Sequence, residues 1–149
     1  MNITIETPVE QGYLEVKAGF TETLFKKLAP PFPPVNVLKF DGCNTGDEVA
    51  LELNFILFKQ KWVSLITADQ TSEKEFFFVD EGTRLPFFLG KWKHKHRIIS
   101  SGKGAVIRDE IDFEGPFAWM TPLLYPVLWL QFWYRKPIYK KIFKKQGQR

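Results

Sequence analysis

The chain has 149 residues, enough for one domain with its own core, and a single domain spanning 1–149 is the expectation. Hydrophobic residues make up 44% and charged residues 26%, which excludes a disordered or fibrous chain. The net charge of +4 is a property of one end: residues 135–149 carry seven Lys/Arg and no acid, leaving 14 basic against 17 acidic residues elsewhere, which argues against a nucleic-acid-binding domain.

The N-terminal "MNITIETPVE" has no basic region followed by an apolar run, so no signal peptide is read there and a reducing cytoplasm is the expected compartment. "NITIETPV" alternates apolar and polar residues and predicts a first strand. Tyr13, Val16, Phe20, Leu24 and Leu28 then recur at steps of three and four, predicting one or two short helices with Thr21 as an N-cap at a break. "APPFPP", Ala29 to Pro34, cannot continue a helix, because proline has no amide donor.

A run of strands follows. "VNVLKFDG" precedes the turn signal "NTGDE"; Cys43, just before that turn, is the lone cysteine, which makes an intrachain disulfide impossible and argues against a cysteine-based zinc site. "EVALELNFIL" sets Val49, Leu51, Leu53, Phe55 and Leu57 on one parity. "KWVSLITA", "EFFFVDE", "KWKHKHRIIS" and "AVIRDEIDF" complete the set. Short turns between these runs predict an antiparallel meander. "TPLLYPVLWLQFWYRKPIYKKIFKK" predicts a long closing helix, with Thr121 as N-cap, Pro122 at its first position, and kinks or a break at Pro126 and Pro137. The predicted class is α+β: a curved antiparallel sheet of six or seven strands wrapped on a long C-terminal helix, with two short helices after the first strand.

That order of elements resembles the SRPBCC superfamily, the START-like or helix-grip fold, across nearly the whole chain. A narrower likeness lies in "FVDEGTRLPFFLGKWKHKHRI" and "IRDEIDFEGPF", similar to a bacterial ligand-binding SRPBCC subgroup with an F-V-D-E strand, a Pro-aromatic turn, W-x-H-x-H and a D-x-I-x-F strand near a proline. Phe78 to Glu81, Pro86, Phe87, Trp92, His94, His96, Asp109, Ile111, Phe113 and Pro116 fill those positions. The resemblance implies an apolar cavity between sheet and helix, and no single activity, because this fold hosts binders, transfer proteins and enzymes.

The chemistry concentrates in "KWKHKHRIIS". Trp92, His94, His96 and Ile98 share one parity, and Lys91, Lys93, Lys95 and Arg97 the other. The face bearing Trp92 and Ile98 is expected to point inward and the basic face to be a solvated exterior. Asp109 shares the inner face of the last strand with Ile107, Ile111 and Phe113, and a carboxylate there needs a partner. His94 or His96 is the nearest; Asp80 or Glu81 on the preceding strand are candidates to join. Three readings remain: a self-satisfied polar network, the polar end of a binding cavity, or an acid–base pair or metal site.

The closing helix is apolar nearly all round from Leu123 to Tyr134, so its second face must meet ligand, a partner subunit or lipid. The 18 residues Phe117–Tyr134 approach the length of a membrane span, but prolines, Thr121 and Gln131 interrupt them. The leading expectation is non-enzymatic binding, with transport as one use, of a hydrophobic or amphipathic small molecule or lipid. Trp92, His94, His96 and Asp109 form its polar lining; Phe55, Phe78, Leu128 and Phe132 are apolar contributors. No cofactor, metal or nucleic acid is called for. The alternatives are a cyclase, hydratase or hydrolase using His94 or His96 with Asp109, and a peripheral membrane module using the last helix and basic tail. A homodimer is a further candidate partner state.

Overall fold

A computed structural model describes residues 1–145. The last four residues of the basic end, 146–149, lie outside the described residues. In chain order the elements are β1 (Asn2–Val9), α1 (Tyr13–Ala18), α2 (Glu22–Lys27), β2 (Val35–Phe40), β3 (Glu48–Asn54), β4 (Lys59–Thr71), β5 (Glu75–Arg84), β6 (Lys91–Ser101), β7 (Gly104–Glu114) and α3 (Thr121–Ile142). The strands form one antiparallel sheet in the order β1-β7-β6-β5-β4-β3-β2. This is the helix-grip arrangement that the sequence predicts.

Strict alternation sets the two central strands. In β6 and β7 every second side chain is buried, so each strand gives one face to the core and one to water. Thr21 caps α2 through its hydroxyl, which accepts from the Leu24 amide. α1 lies over β5, β6 and β7, and α3 lies chiefly along β1.

Three local expectations are corrected. β3 ends at Asn54, not beyond Phe55: the Asn54 side chain accepts from the Ile56 amide, and Ile56 takes φ 59°, so a tight turn replaces the extended alternation. Thr121 does not cap α3. It lies inside the first turn, and its hydroxyl accepts from the Gly115 amide instead. Of the kinks or break expected at Pro126 and Pro137, the break is absent: α3 is one helix through both prolines. Its inner stripe, Leu128, Phe132, Arg135 and Tyr139, is held on the sheet, and tertiary packing of one face stabilises a helix more than propensity does.

The core has two apolar clusters. One joins Phe76, Phe78, Ile98 and Ile107 to Tyr139 and Phe143; the other joins Ile3, Trp92, Ile111 and Phe113 to Leu128 and Phe132. Each large buried side chain contributes about 1.5–3 kcal/mol of transfer free energy. Between the clusters, on successive inward positions, lie His94 and His96 of β6, Asp109 of β7 and Arg135 of α3, all at most 8% exposed. A polar layer thus crosses the interior from sheet to helix.

Candidate ligand-binding site

The outward face of β6 is solvated and paired. Lys91 meets Asp112 at 3.0 Å, Arg97 meets Glu75 at 2.6 Å, and Lys95 lies over the Phe77 ring at 4.3 Å. The inward face carries the polar layer. In the sheet register His94 lies directly opposite Asp80 of β5, and His96 opposite Asp109 of β7. The hydrogen bonds nevertheless run along the diagonals. His94 Nε2 donates to Asp109 Oδ1 at 2.8 Å, and His96 Nε2 donates to Asp80 Oδ2 at 2.7 Å. Trp92 Nε1 donates to the other Asp80 oxygen at 2.9 Å.

This crossing draws together two rings whose Cα atoms are about 7 Å apart along the strand. Their centroids lie 3.5 Å apart with a 31° tilt. Phe78 stacks on His96 at 4.1 Å, and Phe132 meets His94 edge-on at 5.0 Å.

Protonation follows from the pairing. Burial opposes ionisation of Asp80 and Asp109, yet the histidine hydrogen bonds and charges hold both carboxyls below the usual carboxylate range. Ionised carboxylates only accept, so each paired Nε2 carries the proton. Burial, with the neighbouring His94, pushes the His96 pKa down to about 4, so its ring is neutral at pH 7. The Nδ1 of His96 is then a bare lone pair. It has no hydrogen-bond partner and lies 3.7 Å from Asp109 Oδ1.

Helix α3 closes the layer. Arg135 stacks its guanidinium 4.3 Å over the Phe132 ring, and its charge acts on Asp109. The Tyr139 hydroxyl sits beside Arg135; burial first, then Asp109, pushes its phenol pKa well above the ordinary value. Neither Arg135 Nε nor the Tyr139 hydroxyl makes a well-formed hydrogen bond.

These groups face a cavity of about 110 Å³ between the sheet, α2 and α3. Its inner end is Asp80, Trp92, His94, His96, Arg135 and Tyr139, and its walls are mostly apolar. The lining reaches exposed Thr21 and Lys26 on the α2 side, where the cavity meets solvent.

Of the eight expected lining residues, the structure brings Trp92, His94, His96, Phe78 and Phe132 to this cavity. Three are placed elsewhere. Asp109 is 1% exposed behind His94 and holds that ring from the far side. Leu128 is buried in the Trp92–Phe113 cluster. Phe55 leaves the sheet at the β3–β4 turn and packs on Phe58, Phe87 and Phe88. Arg135 and Tyr139 were not foreseen. Their signal was helical spacing: they continue the stripe of Leu128 and Phe132 by steps of three and four.

Asp80, His94 and His96 offer ligand atoms within 4.8 Å of one another. A metal ion fits poorly, because His96 Nε2 and Asp80 Oδ2 already satisfy each other at 2.7 Å and the Arg135 cation adjoins the network. Cys43 also lines the cavity, but burial pushes its thiol up to about 12, so it stays protonated and weakly nucleophilic.

No protein-family model matches the sequence, and no curated protein matches it. Solved structures do match in fold. Protein Ms6760 from Mycobacterium smegmatis superposes with a TM-score of 0.69 at 15% identity, over 99% of this chain and 93% of that one. The Zhui aromatase/cyclase from Streptomyces sp. R1128 gives 0.65 at 12% identity, over 92% and 89%. Norcoclaurine synthase from Thalictrum flavum, in complex with dopamine and hydroxybenzaldehyde, gives 0.61 at 11% identity, over 85% and 76%. At these identities the likeness shows the helix-grip fold and nothing finer.

Proposed function

We propose that this chain, built on the helix-grip fold, binds a small amphipathic molecule with its apolar body in the cavity and an oxygen-bearing head against His96, Arg135 and Tyr139. One observation carries the reading. Among the described residues four buried side-chain polar atoms make no well-formed hydrogen bond to another protein group, and three of them, His96 Nδ1, Arg135 Nε and the Tyr139 hydroxyl, belong to residues lining this one cavity, the last two meeting only each other. An unmet buried donor or acceptor costs about 1–3 kcal/mol, so their convergence favours a ligand that meets them. A hydroxyl group suits the set, since it donates to Nδ1 and accepts from Nε–H. At about 110 Å³ the space is smaller than the roughly 150 Å³ apolar cavity that holds benzene, so it suits a short chain, or a single ring placed partly in the opening near Lys26. A longer apolar tail would leave by the opening near Lys26.

Native mass spectrometry of the freshly purified protein tests this, with a Ser64→Phe variant beside it. Ser64 is 7% exposed and lines the cavity, so a phenyl ring there fills the space. The wild type is expected to carry a small molecule that Ser64→Phe loses while retaining a cooperative thermal transition. A folded Ser64→Phe protein carrying the same molecule would refute the cavity as the binding place.

A second reading is acid–base catalysis, favoured by the bare His96 Nδ1 whose opposite N–H is fixed by Asp80. The two similar enzymes carry their activities on this fold under their own names. A pKa near 4 makes His96 a weak base at neutral pH, because general-base efficiency is greatest when the pKa lies near the working pH. That difference places binding ahead of catalysis.

A further inference from the structure

We propose that the outer face of α3, together with the apolar loops at its N-terminal end, docks this protein flat on an anionic lipid bilayer. The inference goes beyond the ligand reading and stands without it.

The face is built with helical regularity. Opposite the buried stripe, Leu123, Val127, Leu130 and Tyr134 recur at steps of four, three and four, and are 64%, 62%, 57% and 41% exposed. Trp129 and Trp133 stack on each other at 6.1 Å along its flank. A surface helix normally carries polar residues on this side, and monomeric soluble proteins seldom expose a continuous apolar patch of this kind.

The patch extends past the helix. The strand register places the β3–β4 turn, the β5–β6 connection and the β7–α3 connection at the same end of the sheet. Each presents large apolar side chains to water: Leu57 is 91% exposed, Phe87 57% and Trp119 67%. Ile56, at 82% exposure, sits at φ 59°, a conformation strained for a β-branched residue. Phe87 and Trp119 make ring contacts with neighbouring aromatics, but these contacts leave most of both side chains, and nearly all of Ile56 and Leu57, facing water.

Charge selects the occupant. From Gly115 to the end of the chain there is no Asp or Glu, while the exposed Lys141 continues the stripe beyond Tyr134, with exposed Lys140 beside it. A second copy laid parallel would set these lysines against each other. An anionic interface takes both halves at once, aromatic and aliphatic groups at the headgroup–acyl boundary and lysines among the headgroups. No helix among the described residues is long and apolar enough to cross a membrane, so α3 lies on the surface.

Flotation of the full chain with vesicles tests this, using phosphatidylcholine alone and phosphatidylcholine containing phosphatidylglycerol, at low and high salt. The wild type is expected to float with the anionic vesicles and to be released by salt. Leu130→Glu, at an exposed position that leaves the core intact, is expected to lose at least about tenfold in binding, from a charge set into the apolar boundary. Lys140→Glu with Lys141→Glu is expected to lose the preference for anionic vesicles, at about fivefold or more per lysine. Thermal midpoints confirm that each variant folds. No flotation on anionic vesicles, or a folded Leu130→Glu protein that floats like wild type, overturns the proposal. So does a stable wild-type dimer in solution that Leu130→Glu dissociates, which would assign the face to a second copy.

Discussion

Asp109→Ala is expected to destabilise the fold by about 3–5 kcal/mol, the usual cost of breaking a buried charged pairing from one side. The reason lies in what remains behind. Asp109 is 1% exposed and accepts from His94 Nε2, and its charge is coupled to Arg135, itself 8% exposed. Its loss leaves an imidazole N–H without an acceptor and a guanidinium without a counter-charge that acts on it, between two apolar clusters. Asp109→Asn keeps the shape and one acceptor oxygen and is expected to cost less. Urea denaturation of the two variants measures both. A loss below about 1 kcal/mol for Asp109→Ala would mean that the layer is not held by this carboxylate.

Acid should weaken the fold earlier than ordinary carboxylate titration does. His96 has a folded pKa near 4 against 6.5 for a free imidazole, so between those values the unfolded chain binds a proton that the folded chain refuses. A depressed folded pKa gives stability that is complete above the unfolded value and is lost as pH falls toward the folded one. The window is therefore pH 6.5 down to about 4, and the full loss is about 3 kcal/mol. Asp80 and Asp109, both held below their usual range, add their loss further down, below the ordinary carboxylate value of 3.8. Guanidinium denaturation at pH 7 and pH 4.5 is expected to show the drop in wild type. His96→Gln, which cannot titrate, is expected to lack most of it. Equal drops in the two proteins would place the acid sensitivity elsewhere.

How much of this was legible in the sequence varied with the physics involved. A strand's period of two is rigid, so the parity of Trp92, His94, His96 and Ile98 predicted the buried face of β6, and that of Asp109 the buried face of β7. Which carboxylate each imidazole takes was not legible. The register sets His94 opposite Asp80, but side-chain reach decides the crossed pairing, and reach depends on packing from Phe78 and Phe132. Phe55 went astray because alternation was extended past Asn54, where the asparagine side chain turns the backbone. Arg135 was hidden by composition. Counted with the basic tail, it was not read as a core residue, although its spacing from Leu128 and Phe132 puts it on the buried stripe.

One helix serves two surfaces. The inner stripe of α3 gives the cavity Phe132, Arg135 and Tyr139, and the outer stripe gives solvent Leu123, Val127, Leu130 and Tyr134. A helix apolar on both sides does not mark its buried face by residue type. Contact with the sheet decides which stripe is covered.

The most direct measurement is long-range proton–nitrogen NMR of the histidine rings at pH 7, with phenol and toluene added in turn. Both probes are single rings of similar size, and only phenol carries the hydroxyl. His96 is expected to show a protonated Nε2 and a bare Nδ1, and the Nδ1 resonance to shift and saturate with phenol but not with toluene. A His96 ring protonated on both nitrogens, or an Nδ1 signal that phenol leaves unmoved, would contradict a cavity whose polar end is there to meet a ligand.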